Sequence, residues 1–253
     1  YNELLNELWD PDSNQYINKA YVKNIQNNIN QQNVILQEIF KQNKHLLPTN
    51  PDESRKACKF MNDALKQLEH HATSKGHTNC GGIPSENIVF YKKNIKYNEL
   101  LNELWDPDSN QYINKAYILI ISMQFYNMFL EKIVRVYSPN LVMIQQRCKK
   151  LPWSRQKYFY AIAAKFKISE NKTIFVMASA NINDHNLSIE VYQNTIIKSA
   201  NLFQAEVDSE DEIRNGKIKK TFVNLSGYIV EKRKDHIYVI YIDSMSVGEH
   251  DSI

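Results

Sequence analysis

The rhythm of apolar and polar residues changes about halfway along this chain. In the first half the spacing favours helices. Residues 52–74 place Ala57, Phe60, Met61, Leu65 and Leu68 on one stripe, with Pro51 and Asp52 as a start signal. Residues 97–105 carry Leu100, Leu101, Leu104 and Trp105 in the same way, and Asp106-Pro107 stops them. Ile25, Ile29, Leu36, Ile39 and Phe40 form a weaker helical pattern inside the Asn/Gln-rich residues 22–44. One strand, residues 87–93, stands between the two stronger helices. From residue 132 the period is two, and strands are expected over 132–137, 141–148, 157–167, 173–180, 217–230 and 236–243. Turns at 138–140, 169–172 and 231–235 separate them. Residues 190–203 read as helical or irregular. In the strand 157–167, Lys165 and Lys167 mark a wet face and leave Tyr158, Tyr160, Ile162, Ala164 and Phe166 on the other. Helices followed by a long antiparallel run predict an α+β fold.

The organisation is interrupted by a repeat. Residues 1–21 recur unchanged at 97–117, with no similarity on either side. Solenoid repeats diverge and need at least three copies, so this block reads as a recent duplication or a mis-joined gene. The apolar run 118–130 follows the second copy. At 13 residues it is short of the ~20 that a membrane helix needs, and it reads as a buried strand or helix, or as translated intron. The domain reading is an N-terminal helical, Asn-rich appendage over 1–50 and one domain over 51–253.

Composition removes several functions. A net charge of +3 with no concentrated basic face argues against nucleic acid as a partner. The basic runs 217–220 and 232–234 read as solvated strand ends, or as contacts to an anionic membrane. Three cysteines, Cys58, Cys80 and Cys148, have neither zinc-ligand nor disulfide-framework spacing. No nucleophile elbow, HExxH, P-loop or GxGxxG sequence is present. Asp208, Glu210, Asp211 and Glu212 form an acidic cluster that reads as a solvated loop, without EF-hand spacing. His185 and His236 lie near turns with no evident partners. The weight falls on binding, with no cofactor and no metal expected.

Longer stretches carry a resemblance. KLPWSRQKYFYAIAAKFKISENKTIFVMASANIND (150–184) resembles the central hairpin of START domains, and KTFVNLSGYIVEKRKDHIYVIYIDS (220–244) the hairpin after it, including a strand that ends Tyr-hydrophobic-Asp. YNELLNELWDPDSN (97–110) resembles the START helix that ends Trp-Asp. In wording the chain is more similar still to the fam-a (PYST-A) proteins of malaria parasites, Plasmodium, a START-related multigene family.

The resemblance implies a helix-grip fold: a curved antiparallel sheet around a long helix, with an apolar tunnel between them. It implies non-enzymatic binding of a phospholipid, phosphatidylcholine first, its transfer between membranes through transient surface contact, and secretion with export to the infected cell. Tyr158, Tyr160, Ile162, Phe175, Met177, Phe222, Tyr238 and Tyr241 are expected to line the tunnel. Trp153 belongs to the turn before the first of these strands. Gln145, Arg147, Arg155 and Gln156 are the polar candidates at its mouth, an arginine being suited to a phosphate. Three features depart from the family pattern. Gln156-Lys157-Tyr158 stands where START domains have Arg-Asp-aromatic; one strand rather than three precedes the Trp-Asp helix; and the C-terminal lid helix is expected to be missing. The alternatives are an interaction or host-remodelling module without a cavity and, more remotely, an enzyme using the cavity as a reaction chamber.

Overall fold

The computed structural model describes residues 40–73, 85–91, 96–105, 128–148, 156–187 and 192–247. The first copy of the repeat, residues 118–127, Trp153, Arg155 and most of the Asn/Gln-rich segment lie outside them.

Seven strands form one sheet: β1 (Ser85–Tyr91), β2 (Met128–Ser138), β3 (Leu141–Cys148), β4 (Lys157–Lys167), β5 (Lys172–Ala178), β8 (Lys219–Lys232) and β9 (His236–Val247). Their spatial order is β1-β9-β8-β5-β4-β3-β2. Neighbours in that order are antiparallel. Beyond the end of β5 the sheet also closes on itself, because Lys157 and Tyr158 of β4 pair in parallel with Lys219 and Lys220 of β8. Register shifts in the β2–β3 and β8–β9 pairs add the local bends that such closure needs. Between β5 and β8 the chain makes an excursion. It carries the short parallel pair β6 (Asn181–Asn183) and β7 (Gln204–Glu206), a 3-10 turn at Lys198–Leu202, and the single-turn helix α3 (Asp211–Arg214).

Two helices lie N-terminal to most of the sheet: α1 (Pro51–Thr73) and α2 (Tyr97–Glu103). The start of α1 is built as its sequence requires. Proline occupies the first helical position, where no amide hydrogen is needed, and the Asn50 side chain accepts from the Asp52 amide at 2.9 Å. Ion pairs then hold both ends. Arg135 Nη1 donates to the two Glu53 carboxylate oxygens at 2.9 and 2.7 Å, and Lys172 pairs with Glu69 at 2.9 Å.

The expected α+β fold is the one observed, and an incomplete antiparallel sheet with a single strand before α2 is its frame. The two-residue period, however, misassigned one face. In β4, residues 158–162 are all buried, so Phe159 and Ala161 are as dry as Tyr158 and Tyr160. The sheet is covered on both sides over this stretch. The apolar run YFYAIAA is what two-sided burial looks like in sequence, and Lys165 and Lys167 mark only the end of the strand, not a wet face.

Face A carries the even residues of β4 and is covered by α1. Phe60, Met61, Ala64, Leu65 and Leu68 join Met143, Tyr160, Ile162, Ile174, Val176 and Ile229 in one core. Phe203 from the excursion closes it, its ring 6.1 Å from that of Phe60. Gly227 permits the close fit. A Cβ there would lie 2.2 Å from the Phe175 carbonyl oxygen and 3.1 Å from a Leu68 methyl. Face B carries the odd residues. Phe40 covers Val142, Ile144, Phe159 and Ala161 at one side, and α2 covers Phe175, Val230, Ile237 and Val239 at the other.

Candidate functional site

The predicted tunnel residues do not share a surface. The β4–β5 register sets Ile162 opposite Ala178 and Ala163 opposite Met177, so Phe175 and Met177 lie on the face opposite Tyr158, Tyr160 and Ile162. Tyr158, Tyr160 and Ile162 are at most 2% exposed and belong to the α1 core. Tyr238 pairs across the hairpin with Glu231 and lies under the Arg233 guanidinium, 4.3 Å from its ring centre. Phe222 stacks on Tyr192 with centroids 4.1 Å apart. Only Phe175, Met177 and Tyr241 of the expected lining meet on face B.

The polar candidates Gln145 and Arg147 do come together with Tyr158 and Tyr160, at one end of face A. There they are already engaged. Arg147 pairs with Glu212 at 2.9 Å and Glu210 at 3.3 Å; Gln145 donates to Glu210 at 3.1 Å, and Lys132 reaches the same carboxylate. Two members of the largely exposed acidic cluster thus clasp Arg147 from α3 and its N-cap, and Arg147 is not held open for a phosphate. Next to it, buried Asp184 accepts from Tyr158 Oη and Lys220 Nζ, both at 2.8 Å. Asn186 Nδ2 donates to Tyr158 Oη at 3.0 Å and to the Ile213 carbonyl at 2.8 Å. Burial, with the Asp184 charge beside it, pushes the Tyr158 phenol well above its ordinary range. This network fixes the excursion to the sheet, and its chemistry is structural. His185 and His236 also have acidic neighbours, Glu206 at 3.0 Å and Asp235 at 2.7 Å. Among the described residues no group of three or more His, Cys, Asp or Glu side chains could hold a metal ion.

Face B is built differently. Two rows of side chains cross four strands. One reads Lys165, Phe175, Tyr228, Tyr241; the next reads Ala163, Met177, Ser226, Asp243. The α2 helix borders them, with Tyr97 donating to Thr173 Oγ1 at 3.1 Å and Trp105 placed 6.1 Å from Phe175, ring centre to ring centre. Ala163, Lys165, Met177, Tyr228 and Asp243 are only half-buried, unlike their counterparts on face A. The Lys165 ammonium lies 5.5 Å from the Phe175 ring centre, and burial, helped by the charge of Lys167, lowers its pKa to about 8. The Tyr228 and Tyr241 rings lie tilted against each other, 4.8 Å between centres. Ser226 Oγ, Tyr241 Oη and Asp243 Oδ1 are buried beside one another. Burial pushes the Asp243 carboxyl above the usual carboxylate range, against the opposing pull of the Ser226 and Tyr241 hydroxyls. The two hydroxyls and the carboxyl thus form one small polar cluster on a half-covered apolar face.

Ala163, Lys165, Ser226, Tyr228 and Asp243 were not among the expected site residues. The signal was present: a hairpin closing at Lys232–Ile237 sets Ser226 opposite Asp243 and Tyr228 opposite Tyr241. A separate open concavity of about 400 Å³ lies on the excursion, lined by Asn181, Asn183, Gln204, Ala205 and Glu206.

No protein-family description and no curated protein sequence matches the chain. Several solved structures do. Human StAR-related lipid transfer protein 5 is 9% identical with a TM-score of 0.43, the match covering 78% of this chain and 85% of that one. The human StarD13 (DLC2) lipid transfer and protein localization domain is 9% identical with a TM-score of 0.37, over 66% of this chain and 64% of that one. Human STARD10 is 6% identical with a TM-score of 0.33, over 53% and 44%. The chain thus spans less than two thirds of StarD13 and STARD10 as solved, and what these comparisons describe is the arrangement of strands and helices.

Proposed function

We propose that the chain binds one phospholipid-like amphiphile on face B and carries it between membranes without a covalent step. The supporting observation is the contrast in cover between the faces. Face A is filled by α1, whereas face B joins half-buried small and aromatic side chains to the Ser226 and Tyr241 hydroxyls and the Asp243 carboxyl. A lipid site needs this combination: an apolar floor for acyl chains and a few placed polar groups. The resemblance to START-related parasite proteins supports the same reading and names phosphatidylcholine as the first ligand to try.

The test is extraction of labelled phospholipid from liposomes, followed by mass spectrometry of the recovered protein. Wild type should retain about one lipid per chain. Ala163→Trp, which fills the floor of face B, should abolish retention while Tyr160→Phe, in the α1 core, leaves it unchanged. A folded wild-type protein that recovers no lipid would instead support the interaction-module reading.

A further inference from the structure

We propose that the seat of α2 on face B is a binding surface with two occupants: α2 itself and, exchanging with it, the first copy of the repeat, residues 1–9 of the same chain. The exchange requires no ligand and stands apart from the carrier reading. On this seat α2 packs Tyr97, Leu100 and Leu101 against Val230, Ile237 and Val239. Tyr97 also donates to Thr173 Oγ1 at 3.1 Å, and the Trp105 ring centre lies 6.1 Å from that of Phe175. All of these contacts come from the repeated block, which stands unchanged at the start of the chain. Side chain for side chain, Tyr1–Trp9 offers the sheet the same apolar stripe and the same phenol. Lys96, which precedes the block, is exposed and adds an ion pair to Glu99 at 3.1 Å. A helix as short as Tyr97–Glu103 does not hold its shape alone. The seat therefore forms it, and has no side-chain basis for telling one copy from the other.

What separates the copies is tethering. Residues 92–96 join β1 to α2, and residues 10–39 join Trp9 to Phe40. Phe40 is itself on face B, packed against Val142, Ile144, Phe159 and Ala161. With β5 and β8 between β4 and β9, strand spacing puts it about 15 Å from the α2 seat. The longer tether covers about 45 Å even when wound as one helix, so reach does not limit the first copy. Docking on a tether falls off with about the 3/2 power of its length, which puts α2 ahead by about tenfold. That preference leaves the first copy on the seat in roughly one chain in ten. A second chain has no tether and competes only near the effective concentration, about millimolar.

Urea denaturation of the full chain reads the exchange. Leu100→Asp with Leu101→Asp disables α2; the first copy should then take the seat, and the unfolding constant should rise by about tenfold, the tether ratio. The matching pair in the first copy, Leu4→Asp with Leu5→Asp, should raise the constant at least about tenfold more in that α2 variant than in the otherwise native chain. A second measurement reads position directly. A chain carrying p-benzoylphenylalanine in place of Trp9 is mixed with isotopically labelled native chain, irradiated and mapped by peptide mass spectrometry. It should cross-link to β5 or β9 peptides of its own, unlabelled chain. Equal effects of the Leu4 and Leu5 pair in the two backgrounds, an α2 variant that fails to fold with the first copy intact, or irradiated chains without cross-links to β5 or β9 each overturn the exchange. Cross-links confined to labelled peptides give the second seat-holder to another chain and overturn an exchange within one.

Discussion

The two faces of one sheet are completed by different means. On face A the chain supplies its own cover: α1 is ion-paired at both ends, and Phe60, Met61, Leu65 and Leu68 are at most 1% exposed. Even the buried charge there, Asp184, is matched by Lys220 and Tyr158. On face B cover comes from two separate places, α2 and the Phe40 region, and the rows between them keep half-buried side chains. A face that the chain packs closely contributes stability. The half-covered one, in a sheet held from behind, is where the carrier reading places its ligand.

The sharpest way to break this contrast is to attack face A. Phe60→Ala removes a fully buried ring from the α1 core and should cost about 4 kcal/mol in urea denaturation; a loss under about 1 kcal/mol would mean that α1 does not form the core. Asp184→Ala leaves the buried Lys220 ammonium with the Ile182 carbonyl but without its carboxylate and should cost about 3 kcal/mol, read by the same method, with lipid recovery unaffected in whatever fraction remains folded. Ala163→Trp should reverse that pattern, shifting stability by less than about 1 kcal/mol while removing lipid recovery.

The smallest effect concerns pH. The folded-state pKa of Lys165, about 8, lies below its ordinary 10.5. Between these values the unfolded chain holds a proton that the folded chain has released, so stability rises as pH increases through that window. Below pH 8 both states are protonated and the cost of burying the charge is fully present. Lys165→Met should flatten the rise measured by urea denaturation between pH 8 and 10. An unchanged rise in the variant would place its origin elsewhere.

Much of the frame was legible because it depends on local chemistry. Lys157–Lys167 is a strand at the expected limits, and α1 is offset by a single residue from the expected helix. The site was less legible because it depends on register. Tyr158, Tyr160 and Ile162 have the composition of a lipid wall, yet alternation turns them toward α1, and only pairing with β5 reveals that Phe175 and Met177 face away from them. Lys165 looked like a solvent marker because a lysine late in an alternating strand usually is one; its place over Phe175 follows from the neighbouring strand, not from its own sequence. Arg147 had suitable chemistry for a phosphate, but the Glu210–Glu212 clasp meets it from 63 residues further along the chain at its nearest, beyond the reach of any local pattern.

The most direct test is to ask which face a bound lipid touches. A phospholipid with a photoactivatable diazirine in its acyl chain, loaded from liposomes, irradiated and mapped by peptide mass spectrometry, should label Ala163, Phe175, Met177 or Tyr228 on face B. Label confined to α1 or to Tyr160 and Ile162 on face A would contradict the account, because the face taken here as solid core would then be the one that opens.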